Sequence, residues 1–304
     1  GFLGPNGAGK STTMQMLSGN LAPSAGRIQI NGIDLLDEPK RAKALIGYLP
    51  EVPPLYPELS VNEYLDYCAR LNRVPREHIR AARDSAKQHC GLKDVGRRLI
   101  GNLSKGFQQR VGIAQAIIHS PAVVILDEPT VGLDPIQSRE IRTLITELGR
   151  EHSVILSTHI LPEVQTLCDR VQIINKGCLV FNDTLAGLST QLQATSLLLT
   201  LKHPPDSSAF EKIVGIEAVQ TLDAGCVRIT FNPGINPAEA IAVEAAQQGW
   251  GLQELIQERK TLEQIFVALT TSDESARNPV EPAKEAAAQS GVQPRQDGAP
   301  RLAP

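Results

Sequence analysis

The run Gly4-Pro5-Asn6-Gly7-Ala8-Gly9-Lys10-Ser11 fits G-x-x-x-x-G-K-[ST], the pattern of a phosphate-binding loop. Its glycines let backbone N–H groups close on a polyphosphate. Lys10 has the reach and the charge to meet the terminal phosphates, and the Ser11 hydroxyl is a hard oxygen ligand for Mg²⁺. A helix is expected to open at Lys10-Ser11-Thr12-Thr13 and to turn its positive end toward the anion. Such a loop needs a strand before it, and only Gly1-Phe2-Leu3 precede it here. With no initiator Met, the chain is read as truncated at its N-terminus.

A second constellation begins at Ala122-Val123-Val124-Ile125-Leu126, a continuous apolar run of strand length that suits a parallel sheet covered on both faces. It ends in Asp127-Glu128. The first carboxylate is placed to hold Mg²⁺ and the second to polarise an attacking water; the plain alternative is a pair of acids capping a strand end. Pro129-Thr130 and Gly132-Leu133-Asp134-Pro135 follow directly, which weighs against that alternative. Upstream, Leu103-Ser104-Lys105-Gly106-Phe107-Gln108-Gln109-Arg110 reads as a helix start. There Ser104 offers a hydroxyl, backbone N–H groups and a positive helix dipole to an anion. Downstream, His159 follows a second buried strand, Val154-Ile155-Leu156, and Ser157-Thr158.

Taken together, across residues 1 to about 185, these elements resemble those of the ATP-binding cassette (ABC) proteins, with Leu103–Arg110 similar to the L-S-G-G-Q signature. The resemblance implies ATP and Mg²⁺ as cofactors. Nucleotide would be held by Gly4, Pro5, Asn6, Gly7, Ala8, Gly9, Lys10, Ser11 and Thr12, and the metal by Ser11 and Asp127. Glu128 and His159, the latter like the family's switch histidine, would be catalytic. It further implies a head-to-tail pair of cassettes, in which Ser104 and Gly106 of one chain complete the site around Lys10 of the other. Asp134 resembles the aspartate that communicates between the two sites.

The sequence departs from the family pattern in places. Where a glutamine normally follows the Leu-Pro that ends a strand, Leu49-Pro50 is followed by Glu51. A carboxylate is a good Mg²⁺ ligand, so Glu51 is assigned to both metal and nucleotide; the alternative is that it swings outward and meets only a partner. In the signature, Lys105 and Phe107 replace a glycine and the glutamine. These features look like the ABC-2 branch, which includes cassettes of gliding motility and of drug or polysaccharide export. The branch implies a transmembrane permease as partner, contacted near Glu51 to Tyr64. It also implies a peripheral position on the cytoplasmic face of the cell membrane. The family's adenine-stacking aromatic lies upstream of the loop, and no residue here can be assigned to it.

The elements that must position these groups follow from pattern. Gly26–Ile30 alternates and meets Asn31-Gly32, a strong hairpin turn signal. Ile46–Leu49 reads as a strand. Residues 54–120 form a helical subdomain: one helix behind the capping box Ser60-x-x-Glu63, one from about Pro75 to Cys90 stopped by Gly91, and one from Ser104. A helix over about 136–148 separates the two buried strands, so right-handed βαβ crossovers and an α/β parallel sheet are expected. The expected domains are a cassette over 1–188, a small α+β domain over 189–272, ferredoxin-like in pattern, and a disordered tail over 273–304. The small domain's strands are read at Leu197–Leu201, Val227–Phe231 and Leu252–Leu255, with helices at about 237–248 and 261–270.

Composition narrows the function classes. A formal net charge of −3 and 4% aromatic residues give no basic surface and few stacking platforms, so nucleic acid is not an expected partner. Five cysteines without a C-x-x-C pair suggest reduced thiols. No apolar run approaches the ~18 residues of a membrane span. Two other classes compete with a transporter ATPase. A soluble ABC ATPase acting on nucleic acid or ribosomes would carry two cassettes or a long coiled coil, and neither is visible. A P-loop kinase would have no use for the signature or for His159.

Overall fold

A computed structural model of the chain describes residues 1–187, 196–210, 212–223, 225–232 and 234–258, together with Gln264 and Phe266. It begins with β1 (Phe2–Leu3), α1 (Lys10–Leu17), a small hairpin of β2 (Gln29–Ile30) and β3 (Ile33–Asp34), α2 (Pro39–Lys43) and β4 (Ile46–Leu49). Three helices follow: α3 (Val61–Leu71), α4 (Ile79–His89) and α5 (Lys105–Ile117). Then come β5 (Val123–Asp127), α6 (Pro135–Leu148), β6 (Ser153–Thr158), α7 (Leu161–Leu167), β7 (Arg170–Asn175) and β8 (Cys178–Thr184).

The main sheet runs β4-β5-β6-β1-β7-β8. All its pairings are parallel except β7 with β8. The apolar run of β5 lies between β4 and β6, in register Leu49↔Leu126↔Leu156, as a fully covered strand should. β1 occupies the middle of the sheet, with Phe2 opposite Ser157 on one side and Gln172 on the other. The strand that feeds the phosphate loop is thus gripped on both edges.

The helical layer packs Val61, Tyr64, Leu65 and Cys68 of α3 against Val111, Ala114 and Ile117 of α5 in one core cluster, which extends to Leu126 of β5 and Ile141 of α6. Gly47 of β4 lies where the sheet and α5 come too close for a side chain. A Cβ there would run into the carbonyl oxygen of Ala116, and Pro121 is close by. The Ser60–Glu63 capping box forms in full, with the Ser60 N–H and hydroxyl both donating to Glu63 Oε2. The second helix starts later than expected: Pro75 is extended, a 3₁₀ turn covers Arg76–His78, and α4 begins only at Ile79. β7 and β8 were not expected from sequence; they form a hairpin around Lys176-Gly177, both with positive φ.

The C-terminal part holds β9 (Ser196–Leu201), α8 (Ser207–Phe210), β10 (Ile216–Asp223), β11 (Cys226–Phe231), α9 (Ala238–Gln247) and β12 (Leu252–Glu258). Its sheet order is β10-β11-β9-β12, antiparallel throughout, the arrangement of a split βαββαβ unit. Leu197, Leu199, Phe210, Ile229, Ile241 and Trp250 fill its core. β10 is a strand the sequence reading lacked. The helix expected at 261–270, apart from Gln264 and Phe266, and the tail expected over 273–304 lie outside the described residues. Among the described residues no helix is long and apolar enough to cross a membrane.

Candidate active site

The phosphate loop spans the gap between β1 and α1. Gly7 and Gly9 take φ values of 77° and 105°, which an L side chain resists. Gly4 has a different reason to be glycine: a Cβ there would collide with the backbone oxygen of Ile174 in β7. The loop is tied inward by the Ala8 N–H donating to the Pro5 carbonyl and the Gly177 N–H donating to the Ala8 carbonyl. α1 opens at Lys10 with no side chain capping its first turn, so its leading N–H groups are available to an anion. Lys10 is buried, and its ammonium donates to the carbonyls of Gly4 (3.0 Å) and Pro5 (3.3 Å). Ser11 is partly covered and Thr12 exposed.

One carboxylate meets the loop from the end of β5. Lys10 Nζ lies 3.3 Å from Glu128 Oε1, and His159 Nδ1 lies 2.9 Å from Glu128 Oε2. Glu128 is therefore held between a cation on α1 and an imidazole at the end of β6. Its backbone is unusual too, with φ at 50°, a region that costs a non-glycine residue about 1–3 kcal/mol and persists where surroundings impose it. The Glu128 N–H donates to the Ser157 carbonyl, which locks that turn onto β6. Asp127 is buried, and its Oδ1 has no hydrogen-bond partner. The phenol of Tyr48 is pushed up to about 12 by burial and by the Asp127 charge.

The orphaned Asp127 oxygen provides a test of fit for Mg²⁺. Among the described residues no group of three or more His, Cys, Asp or Glu is placed to share a metal. A dedicated metal cage is therefore not what this site offers. One free buried carboxylate oxygen and the Ser11 hydroxyl suit a Mg²⁺ that keeps waters and takes phosphate oxygens as its other ligands. The donor set fits.

The remaining expected site residues lie on three other segments. Ser104 is the exposed N-cap of α5, and its hydroxyl accepts from the Phe107 N–H at 3.4 Å. Gly106 is buried; its Cβ direction points at Gln137 Cδ, 2.7 Å away, so the first turns of α5 and α6 touch through this glycine. The Lys105 ammonium lies over Gly132. Asp134 caps α6, its Oδ1 accepting from the N–H groups of Ile136 and Gln137, both at 2.9 Å. Glu51 is exposed just past β4. The structure thus brings Lys10, Glu128 and His159 together directly, and places Ser104 and Asp134 at the capped starts of two neighbouring helices.

A family model described as ABC transporter matches residues 1–131. The chain is also 33% identical over 267 residues to the uncharacterized ABC transporter ATP-binding protein YxlF of Bacillus subtilis (strain 168), covering 88% of each. The chain belongs to the ABC transporter ATP-binding proteins. This ABC protein is 31% identical over 277 residues to the daunorubicin resistance ATP-binding protein DrrA3 of Streptomyces coeruleorubidus, covering 90% of this chain and 87% of that one. A solved structure of the ATP-binding subunit of an ABC transporter matches with a TM-score of 0.56 at 32% identity, over 62% of this chain and 80% of that one. The ABC protein is accordingly an ATP-binding ATPase, and a phosphate-transferring kinase is set aside.

Sequence reading missed three residues that the structure places beside the candidate site. Glu163 of α7 is 2% exposed, accepts from the Thr130 hydroxyl at 2.7 Å and from the Thr158 hydroxyl at 2.9 Å, and has Arg142 Nε at 3.9 Å. Thr130 and Thr158 flank the expected catalytic residues in the chain. No motif marks them, because a threonine beside a motif residue carries no charge signal. A glutamate inside a short helix, in turn, ordinarily faces water.

Proposed function

We propose that the chain is the ATP-hydrolysing subunit of an ABC-2 type exporter. Two cassettes would act head to tail on the cytoplasmic face of the membrane, coupled through a transmembrane permease. The observation that carries the catalytic part is the Glu128 carboxylate between Lys10 and His159, beside the unpartnered Asp127 oxygen. Lys10 and the N–H groups of the loop Gly4–Ser11 and of Thr12 bind the phosphates. Asp127 and Ser11 hold Mg²⁺, which neutralises charge on the phosphates when bound. Glu128 orients and activates the water, and His159 fixes Glu128 and reaches toward the γ-phosphate. Glu51 adds a further oxygen toward the metal. Ser104 and Gly106 close the site of the partner cassette from the α5 N-terminus, and Asp134 sets the start of α6 beside them. Export is favoured by the similarity to a resistance protein, which extends over most of the chain.

A mixing experiment tests the shared site. Lys10→Ala and Ser104→Arg subunits should each be nearly inactive in ATP hydrolysis. Mixed before assembly, they should regain a substantial share of the activity, because half of each mixed dimer's sites is then intact. No recovery on mixing would sink the head-to-tail reading. Stimulation by a co-expressed permease supports the transporter role, whereas stimulation by ribosomes or nucleic acid would favour the soluble class.

A further inference from the structure

We propose that Glu163 is a positioning residue for ATP hydrolysis: its buried carboxylate clamps the Thr130 and Thr158 hydroxyls and thereby fixes Glu128 against His159. The inference rests on the catalytic reading of Glu128 and His159 given above.

The geometry is specific. Thr130 lies two positions after Glu128, in the turn where the Val131 N–H donates to the Glu128 carbonyl and the Leu133 N–H to the Thr130 carbonyl. Thr158 directly precedes His159, and its hydroxyl, besides donating to Glu163, accepts from the Ile160 N–H at 3.0 Å. The Glu163 N–H in turn donates to the Ile160 carbonyl, so the turn that carries His159 is closed on itself. Both carboxylate oxygens are used, one for each threonine. A single rigid group therefore sets the spacing between the β5 turn and the β6 turn.

Burial makes the clamp consequential. A carboxylate at 2% exposure without donors would be costly, so both threonines are held where the carboxylate can use them. Arg142 adds a cation at 3.9 Å and also donates to the Ser138 carbonyl of its own helix. Arg142 belongs to α6, whose cap is Asp134, so the same carboxylate pairs with the helix that follows the β5 turn. A strained φ at Glu128 needs surroundings that impose it, and the clamp supplies part of them.

The test uses the full-length subunit and separates kcat from KM for ATP. Glu163→Ala should lower kcat by about tenfold or more, since a displaced catalytic group loses that much readily. KM for ATP should not rise by more than about twofold, because the phosphate loop keeps all its own residues. Glu163→Gln, which keeps shape and one acceptor, should recover part of the rate. The triple variant Glu163→Leu/Thr130→Val/Thr158→Val removes the carboxylate together with both hydroxyls that serve it and deprives only the part-buried Ile160 N–H of its acceptor, so it should fold and show the same kcat loss. In a Glu128→Gln background, Glu163→Ala should cost nothing further, because it acts through Glu128. If the triple variant folds and turns over normally, or if Glu163→Ala lowers the residual rate of Glu128→Gln by its full factor, the clamp is wrong. If Glu128→Gln itself remains active, the catalytic reading fails first, and the clamp with it.

Discussion

The Lys10 ammonium and the Glu128 carboxylate form a buried ion pair, 3.3 Å apart and each 6% exposed. The cation proposed to meet a terminal phosphate is therefore already engaged by the carboxylate proposed to activate water. The two needs compete for Lys10. Glu128→Gln should lower ATP hydrolysis by roughly 10²–10⁴-fold, the usual worth of a general base. It should also tighten ATP binding by roughly fivefold or more, as an anion that competes for Lys10 is removed. Single-turnover phosphate release and equilibrium nucleotide binding check the two parts; weaker binding would show that Glu128 does not compete.

Glu51 stands exposed just past the end of β4, and the proposed function gives its carboxylate a place on the metal. Glu51→Gln should leave nucleotide affinity within about twofold and shift the Mg²⁺ concentration that supports half-maximal hydrolysis upward, since a hard charged ligand is lost. A Mg²⁺ titration that superposes on that of the unaltered protein would leave Glu51 with a partner-facing role only.

Gly47 holds β4 against α5 at a distance that admits no side chain, with the Ala116 carbonyl and Pro121 in the way. Gly47→Ala should destabilise the fold by about 1–3 kcal/mol through overpacking. The matching fall in Tm, on the order of 3–10 °C, is read by calorimetry. An unchanged Tm would mean that strand and helix separate at little cost.

His119, after the end of α5, sets Nε2 3.1 Å from the Ile46 carbonyl oxygen, while Nδ1 is buried without a partner. Burial, helped by the nearby His152, holds the imidazole below its ordinary 6.5 despite that hydrogen bond. The unfolded chain therefore takes up the proton first as pH falls. The stability that neutral His119 contributes is complete above about pH 6.5 and is lost as pH drops through the lower folded value. Thermal melts between pH 7.5 and 5 should show this decline, and His119→Gln should flatten it.

Much of the candidate site was legible because phosphate chemistry demands fixed residue types at fixed spacings. Gly4–Ser11, Asp127-Glu128 and Ser104 could be placed from the chain alone, and the Asn31-Gly32 turn appears with both φ values positive. The order of strands was not legible: nothing local to Phe2-Leu3 says that its neighbours are Ser157-Thr158 and Gln172-Ile173. β10 escaped because Glu217, Gln220 and Thr221 interrupt its apolar pattern and two register shifts break the ladder. α4 was placed too early because Pro75, a good helix starter, is here extended and followed by a 3₁₀ turn. Glu163 was invisible because its role depends on two hydroxyls from other elements, a relationship that exists only in three dimensions.

The middle strand of the main sheet carries one more consequence, in the order of assembly. β1 is two residues long, and both its partners lie some 150 to 170 positions further along the chain. A ribosome must therefore deliver β6 and β7 before the phosphate loop has a frame to hang from. The helical layer, whose contacts are nearer in sequence, can condense well before that. The frame of the phosphate loop is thus completed only once synthesis has passed β7, and in a nascent or interrupted chain that stops short of β6 the glycine-lysine loop lacks both strands that flank β1.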